Sequence, residues 1–191
     1  MKIVLASNSP RRKELLGGLG VDFEVRTLND IDESYPDTLP AQQVSEYITG
    51  KKADAYEVAD GEIIITADTV VVVNDNIFGK PADALEAKRM LRAISGKTHQ
   101  VMTSVCIASS GLRKLFTVTT DVTFRQLTDG EIDYYVDTFR PLDKAGAYGI
   151  QEWIGYIGVT SLNGSYYNVM GFPVQRVYEV LRDSFGVTFH K

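Results

Sequence analysis

The chain has 191 residues, 44% of them hydrophobic and 24% charged, a balance that suits one sizeable core or two small lobes around a cleft. Its formal net charge of −5 excludes a broad nucleic-acid surface but leaves room for a small basic pocket for one phosphorylated ligand. The single cysteine, Cys106, excludes an internal disulfide, and the two histidines, His99 and His190, form no metal-spaced cluster.

Taken along the chain, Lys2 to Ala6 read as a buried strand, and Pro10 to Leu19 as a helix closed by Gly17, Gly18 and Gly20. Between them lies Ser7-Asn8-Ser9-Pro10-Arg11-Arg12. Ser9 suits the N-cap and Pro10 the first helical position. A helix N-terminus gathers backbone N–H groups and positive dipole, and two adjacent arginines add planar forks that match phosphate oxygens. Read alone, the stretch is equally an ordinary capped helix with two solvated arginines.

Val21 to Arg26 is the next strand, and Asn29 to Thr38 is an acidic loop. From Pro40 to Ala59 the positions Val44, Ile48, Ala55 and Ala59 keep a helical period. Glu62 to Val73 is rich in β-branched residues and reads as a strand. This longest apolar run is too short and too polar in its middle to span a bilayer. With no signal-peptide pattern, the chain is expected to be cytoplasmic, with no membrane and no nucleic-acid partner. Asp83 with Glu86 opens a helix to about Ile94. Gln100 to Ala108 and Lys114 to Phe124 are two strands joined through Ser109-Ser110-Gly111. Thr128 with Glu131 opens another helix, lined by Ile132, Tyr135, Val136 and Phe139. Beyond Pro141 short strands are expected, then a last helix from Pro173 to Phe185. Strands and helices mix without regular βαβ alternation, so the fold class is α/β with a mixed sheet.

Several polar residues sit against the pattern. Asp68 interrupts an apolar run, where a buried carboxylate needs a partner such as a cation. The alternative is a turn between two short strands, Ile63–Ala67 and Val70–Val73. Lys80 follows in a turn, as a second phosphate clamp or a solvated charge. Helical angle puts Lys51 near the middle of the apolar face and Lys52 at its margin, so the angle leans toward Lys51. His99 reads as a structural hydrogen-bonder. Asp143-Lys144-Ala145-Gly146-Ala147-Tyr148-Gly149-Ile150-Gln151 allows close backbone approach to a ligand, and Gln151 offers a donor and an acceptor to a base edge.

These pieces, in this order, resemble the Maf family of nucleoside triphosphate pyrophosphatases. The resemblance rests on Ser7–Arg12, Ala67-Asp68-Thr69-Val70-Val71, Gly79-Lys80-Pro81, Ser95 to Val101, Asp143 to Gln151 and Asn163 to Pro173. It implies one Maf-like domain over residues 1–191. It implies an elongated α/β fold like that of inosine triphosphate pyrophosphatase: a mixed sheet, flanking helices and two lobes around a central cleft. A homodimer is implied, as is metal-dependent hydrolysis of a nucleoside triphosphate to monophosphate and pyrophosphate. The family's catalytic acidic position matches Asp68, and further positions match Glu33, Lys52 and Lys80. The resemblance therefore picks Lys52 where angle alone leaned toward Lys51. Arg11, Thr69 and Gln151 match positions tied to the branch preferring dTTP and UTP. One departure is Glu152-Trp153, which follows Gln151 where the family commonly has glycine and alters the loop beside the base pocket.

The expected division of labour follows. Ser7, Ser9, Arg11, Arg12, Lys52 and Lys80 hold the triphosphate. Glu33 and Asp68 hold Mg²⁺ or Mn²⁺, which prefer carboxylates. Asp68 or a metal-bound water generates the nucleophile, and Thr69 and Gln151 contact the pyrimidine. Two competing readings are a nucleotide-binding regulator of septum formation without turnover, and a Maf-type pyrophosphatase with another base preference.

Overall fold

The computed structural model describes residues 1–189, so His190 lies outside the described residues. Seven strands form one mixed sheet: β1 (Lys2–Leu5), β2 (Phe23–Val25), β3 (Glu62–Val73), β4 (Asn76–Phe78), β5 (Thr98–Ala108), β6 (Arg113–Phe124) and β7 (Val159–Asn163). Their order is β2-β1-β3-β5-β6-β7, with β4 paired to β3. β1 runs parallel to both β2 and β3, while β4 on β3 and β7 on β6 are antiparallel. The helices are α1 (Pro10–Gly17), α2 (Ala41–Asp54), α3 (Ala84–Ile94), α4 (Asp129–Phe139), α5 (Trp153–Gly158), α6 (Tyr166–Val169) and α7 (Val174–Phe185). The expected α/β class with a mixed sheet is what the chain forms. None of its described helices is long and apolar enough to cross a membrane.

The chain divides into two compact units. The first comprises residues 1–68, 103–118 and the segment from Gly171 on; the second comprises 69–102 and 119–170. In the first, β1 and β3 are apolar on both faces because both faces are covered. Ile3, Leu5, Ile63 and Ile65 pack with Leu16 of α1 and with Val177, Leu181 and Phe185 of α7. Val4 and Ile64 turn the other way, onto Ala53 of α2. In the second unit Val71, Leu91, Ile94, Val101, Phe124, Ile132, Tyr135, Tyr148 and Ile154 share one core. Cys106 is a free, buried thiol in β5, as its apolar surroundings suggest.

Three expectations need correction, and one alternative falls. α2 ends at Asp54 rather than Ala59, because Tyr56 and Val58 leave the helix to pack beside Val4 and Ile64. The run from Glu62 to Val73 is one unbroken strand, so the alternative of a turn at Asp68 does not hold. A short strand, β4, precedes Lys80. It folds back through Asn74 and Asp75, whose φ of 47° and 63° suit a tight hairpin turn. Between Pro141 and Pro173, where short strands were expected, the chain forms the short helices α5 and α6, with β7 the one strand among the described residues.

Candidate functional site

The first unit places the loop of Ala6 to Ser9 between β1 and α1. β1 delivers the loop, and Ala6 N–H still donates to the Ile65 carbonyl at 2.8 Å. The Ser9 hydroxyl accepts from Arg12 N–H and caps α1, with Pro10 at the start. Buried Ser7 braces the turn, its Oγ accepting from Ser9 N–H at 3.2 Å.

Arg12 is not a solvated fork. Its Nε donates to the Gly171 carbonyl and its Nη1 to the Ala67 carbonyl, both at 2.9 Å. One guanidinium thus ties the loop after β1 to β3 and to the segment before α7. Desolvation lowers the pKa of Arg12, as does the neighbouring Arg11 charge. The Asp68 and Glu33 carboxylates oppose that shift. Arg12 therefore feels the charges of Asp68, Arg11 and Glu33. Arg11 is half-buried on the first turn of α1.

Asp68 finds its partner in α2. Lys52 Nζ lies 2.8 Å from Asp68 Oδ1 and 3.0 Å from Glu33 Oε1. The Lys52 and Asp68 side chains are only 15% and 14% exposed, whereas Glu33 is 54% exposed. Neighbouring Lys51 turns elsewhere. It donates to Asp32 Oδ2 at 2.7 Å and to the Ser34 carbonyl at 2.9 Å, pinning the acidic loop that carries Glu33. The lean of helical angle toward Lys51 is thus corrected: Lys51 serves the loop, and Lys52 serves Asp68.

Among the described residues no three His, Cys, Asp or Glu side chains converge as a metal cage. Glu33 and Asp68 instead meet at one ammonium. Mg²⁺ characteristically takes one or two protein carboxylates and completes its octahedron with water and substrate phosphates. A pair of carboxylates therefore fits a cation that arrives with a nucleotide rather than a resident ion.

The second unit holds the other candidates. Thr69 follows Asp68 on β3 and is half-buried. Lys80 is exposed in the turn after β4. That turn is tied to the Asp143–Gln151 segment, since Gly146 N–H donates to the Gly79 carbonyl at 3.0 Å. Gly146 has φ of 69°, and a Cβ there would sit 2.8 Å from Val71 Cγ2, so only glycine fits. Gln151 has its Oε1 buried without a hydrogen-bond partner among the described residues. His99 is structural, as its setting suggested: it is 2% exposed, and its Nε2 lies 2.7 Å from the Tyr148 hydroxyl.

The structure thus brings Ser7, Ser9, Arg11, Arg12, Glu33, Lys52 and Asp68 together in one unit, and ties the Lys80 turn to the Gln151 segment in the other. Sequence reasoning passed over Tyr135, which looks like a core residue of α4. Its hydroxyl accepts from Gly149 N–H at 3.0 Å and donates to Glu152 Oε2. The signal was present at Glu152, a carboxylate in a segment of small and apolar residues.

A family model described as Maf-like protein matches residues 2–184. A protein of Bacteroides thetaiotaomicron named dTTP/UTP pyrophosphatase is 55% identical over 183 residues, 95% of each chain. One of Parabacteroides distasonis with the same name is 56% identical over 183 residues, again 95% of each. One of Porphyromonas gingivalis, also so named, is 52% identical over 186 residues, 95% of this chain and 94% of that one. Among solved structures, a HAM1 protein from Coxiella burnetii has a TM-score of 0.52 at 13% identity, covering 96% of this chain and 99% of that one. That last likeness is one of fold.

Proposed function

This chain belongs to the Maf family, and from that premise we propose that it hydrolyses dTTP and UTP to the monophosphate and pyrophosphate. The observation that carries the reading is the Lys52 ammonium set between the Asp68 and Glu33 carboxylates, within electrostatic reach of Arg12. Relatives named dTTP/UTP pyrophosphatase at 52–56% identity support the substrate class.

The reaction forms a bond from water oxygen to the α-phosphorus and breaks the bond to the β-phosphate oxygen. Catalysis of this kind is mostly positioning and charge stabilisation. Asp68 accepts the proton of the attacking water. Backbone N–H groups at the start of α1, with Ser7, Ser9 and Arg11, take the phosphate oxygens. Arg12 holds that loop in shape through its two carbonyl contacts and adds its charge. Lys52 and Lys80 stabilise the charge that grows on departing pyrophosphate. Glu33 and Asp68 are the residues that would hold Mg²⁺ or Mn²⁺, whose chemistry there is charge neutralisation on the triphosphate. Thr69 and Gln151 contact the pyrimidine. The working form is taken to be a cytoplasmic homodimer, for which light scattering should give twice the 21.2 kDa of one chain.

The test is a panel of nucleoside triphosphates with Mg²⁺ or Mn²⁺ and product identification by chromatography. Monophosphate plus pyrophosphate is expected, with the highest kcat/KM for dTTP and UTP. Equal rates across the panel would defeat the base preference and leave the reaction class. Tight binding with the triphosphate unchanged would replace the enzyme with a nucleotide sensor.

A further inference from the structure

Glu152 sits at the centre of a small polar cluster inside the second unit. Glu152 N–H donates to the Gly149 carbonyl at 3.0 Å, closing residues 149–152 into a turn. The Tyr135 hydroxyl clasps both ends of that turn. It accepts from Gly149 N–H and donates to Glu152 Oε2. The other carboxylate oxygen, Oε1, pairs with Lys144 Nζ at 3.1 Å, and the same ammonium pairs with Asp143 Oδ1 at 2.8 Å. Tyr135 is fully buried on α4, whose start is fixed by the Thr128–Glu131 capping box. The clasp is therefore anchored in a rigid element.

The cluster also lies beside Gln151. A Cβ built on Gly149 would lie 3.0 Å from Glu152 Cδ, 3.1 Å from Lys144 Cε and 3.2 Å from Gln151 Nε2. The nitrogen end of the Gln151 amide is thus gathered with the Glu152 and Lys144 side chains over one α-carbon. The oxygen end, Oε1, is buried and accepts no hydrogen bond from the described residues. Buried acceptors are rarely left so in a finished site, and the usual explanation is a donor supplied by something else. Thymine and uracil carry an N3–H donor. Cytosine presents an acceptor at the same ring position.

We propose that Glu152, clasped by Tyr135 and Lys144, is a positioning residue that holds the Gln151 amide with Oε1 presented, and so sets selection of uracil and thymine over cytosine. The inference rests on the reading of Gln151 as a base contact. Glu152 itself touches no reacting atom; it acts through Gln151. Removing the clasp frees the amide to turn, and an amide that turns serves cytosine as readily as uracil.

The experiment compares the full-length wild type with Tyr135→Phe and Glu152→Ala, measuring kcat and KM separately for UTP and CTP, with thermal melts alongside. The wild type should prefer UTP. Each variant should lower the UTP-to-CTP ratio of kcat/KM by about tenfold, the worth of one oriented hydrogen bond. The change should fall on KM, with kcat for UTP within about twofold of wild type. Glu152→Gln, which keeps an acceptor for the Tyr135 hydroxyl, should retain most of the ratio. Should Tyr135→Phe melt below the assay temperature, Glu152→Ala gives the same readout at a side chain that is 21% exposed. A purely structural role would depress both substrates equally and leave the ratio intact, which overturns the proposal. A wild type that turns over UTP and CTP alike would instead overturn the assignment of Gln151, and this inference with it.

Discussion

Asp68 shows what one misplaced side chain discloses. A carboxylate inside Ile63 to Val73 had to have a partner, and the partner is Lys52 at 2.8 Å. Asp68→Asn keeps the shape and removes the proton acceptor, so kcat should fall by about a thousandfold or more while the melting temperature stays close to wild type. Near-full activity with metal present would end the assignment. Arg12 behaves differently, because it serves structure as well as charge. Arg12→Ala leaves the Ala67 and Gly171 carbonyls without their donor and should cost about 2–4 kcal/mol in urea unfolding, besides activity. The adjacency of Arg11 and Arg12 was legible in the sequence, but their division of labour was not, since it depends on carbonyls 55 and 159 residues away. His99 makes a third case. Burial pushes its pKa down from 6.5 to about 4, so the folded imidazole stays neutral where the unfolded one takes up a proton. Stability is then undiminished above pH 6.5, declines by roughly 3 kcal/mol as pH falls from 6.5 to 4, and loses nothing further below that. Urea midpoints measured across that window should show the slope in wild type and a shallower one in His99→Gln.

Elements with a long period or a clear cap were readable. α3 repeats buried Ala87, Met90, Leu91 and Ile94 on one face, and α4 begins at a true capping box. Thr128→Ala should therefore cost about 1 kcal/mol, read as a shift in thermal midpoint. At Asp83 the device differs from expectation. Asp83 caps Glu86 N–H, but the Glu86 carboxylate accepts from Ala82 N–H rather than from the cap residue itself. What escaped the sequence were pieces too short to repeat. α5 spans six residues and α6 four, less than two turns each, so neither can display an amphipathic stripe. They are set by packing. A Cβ on Gly155 in α5 would fall inside the Ile150 carbonyl oxygen, which only a glycine avoids. Gly155→Ala should cost about 3 kcal/mol, visible as a lower urea midpoint, through displacement of the segment that carries Gln151.

At the scale of the whole molecule, three strands are common property. β3, β5 and β6 each contribute residues to both compact units. A strand cannot lose its pairing along half its length without weakening the other half, so unfolding should be one cooperative event. Trp153, the only tryptophan, reports on the second unit, and far-ultraviolet circular dichroism reports on both. The two denaturation curves should superimpose; separate midpoints would show that the units melt independently. The Arg12 guanidinium adds a constraint on how the chain can be cut. It binds backbone oxygen from residue 67 and from residue 171, so the loop after β1 is finished only by polypeptide lying beyond Met170. A truncated fragment stopping at that methionine would retain Asp68, Lys52 and Glu33 yet lack the last brace of the loop. Split-protein or minimised versions must therefore keep Gly171 with the Arg12 loop, or supply the peptide that carries it in trans.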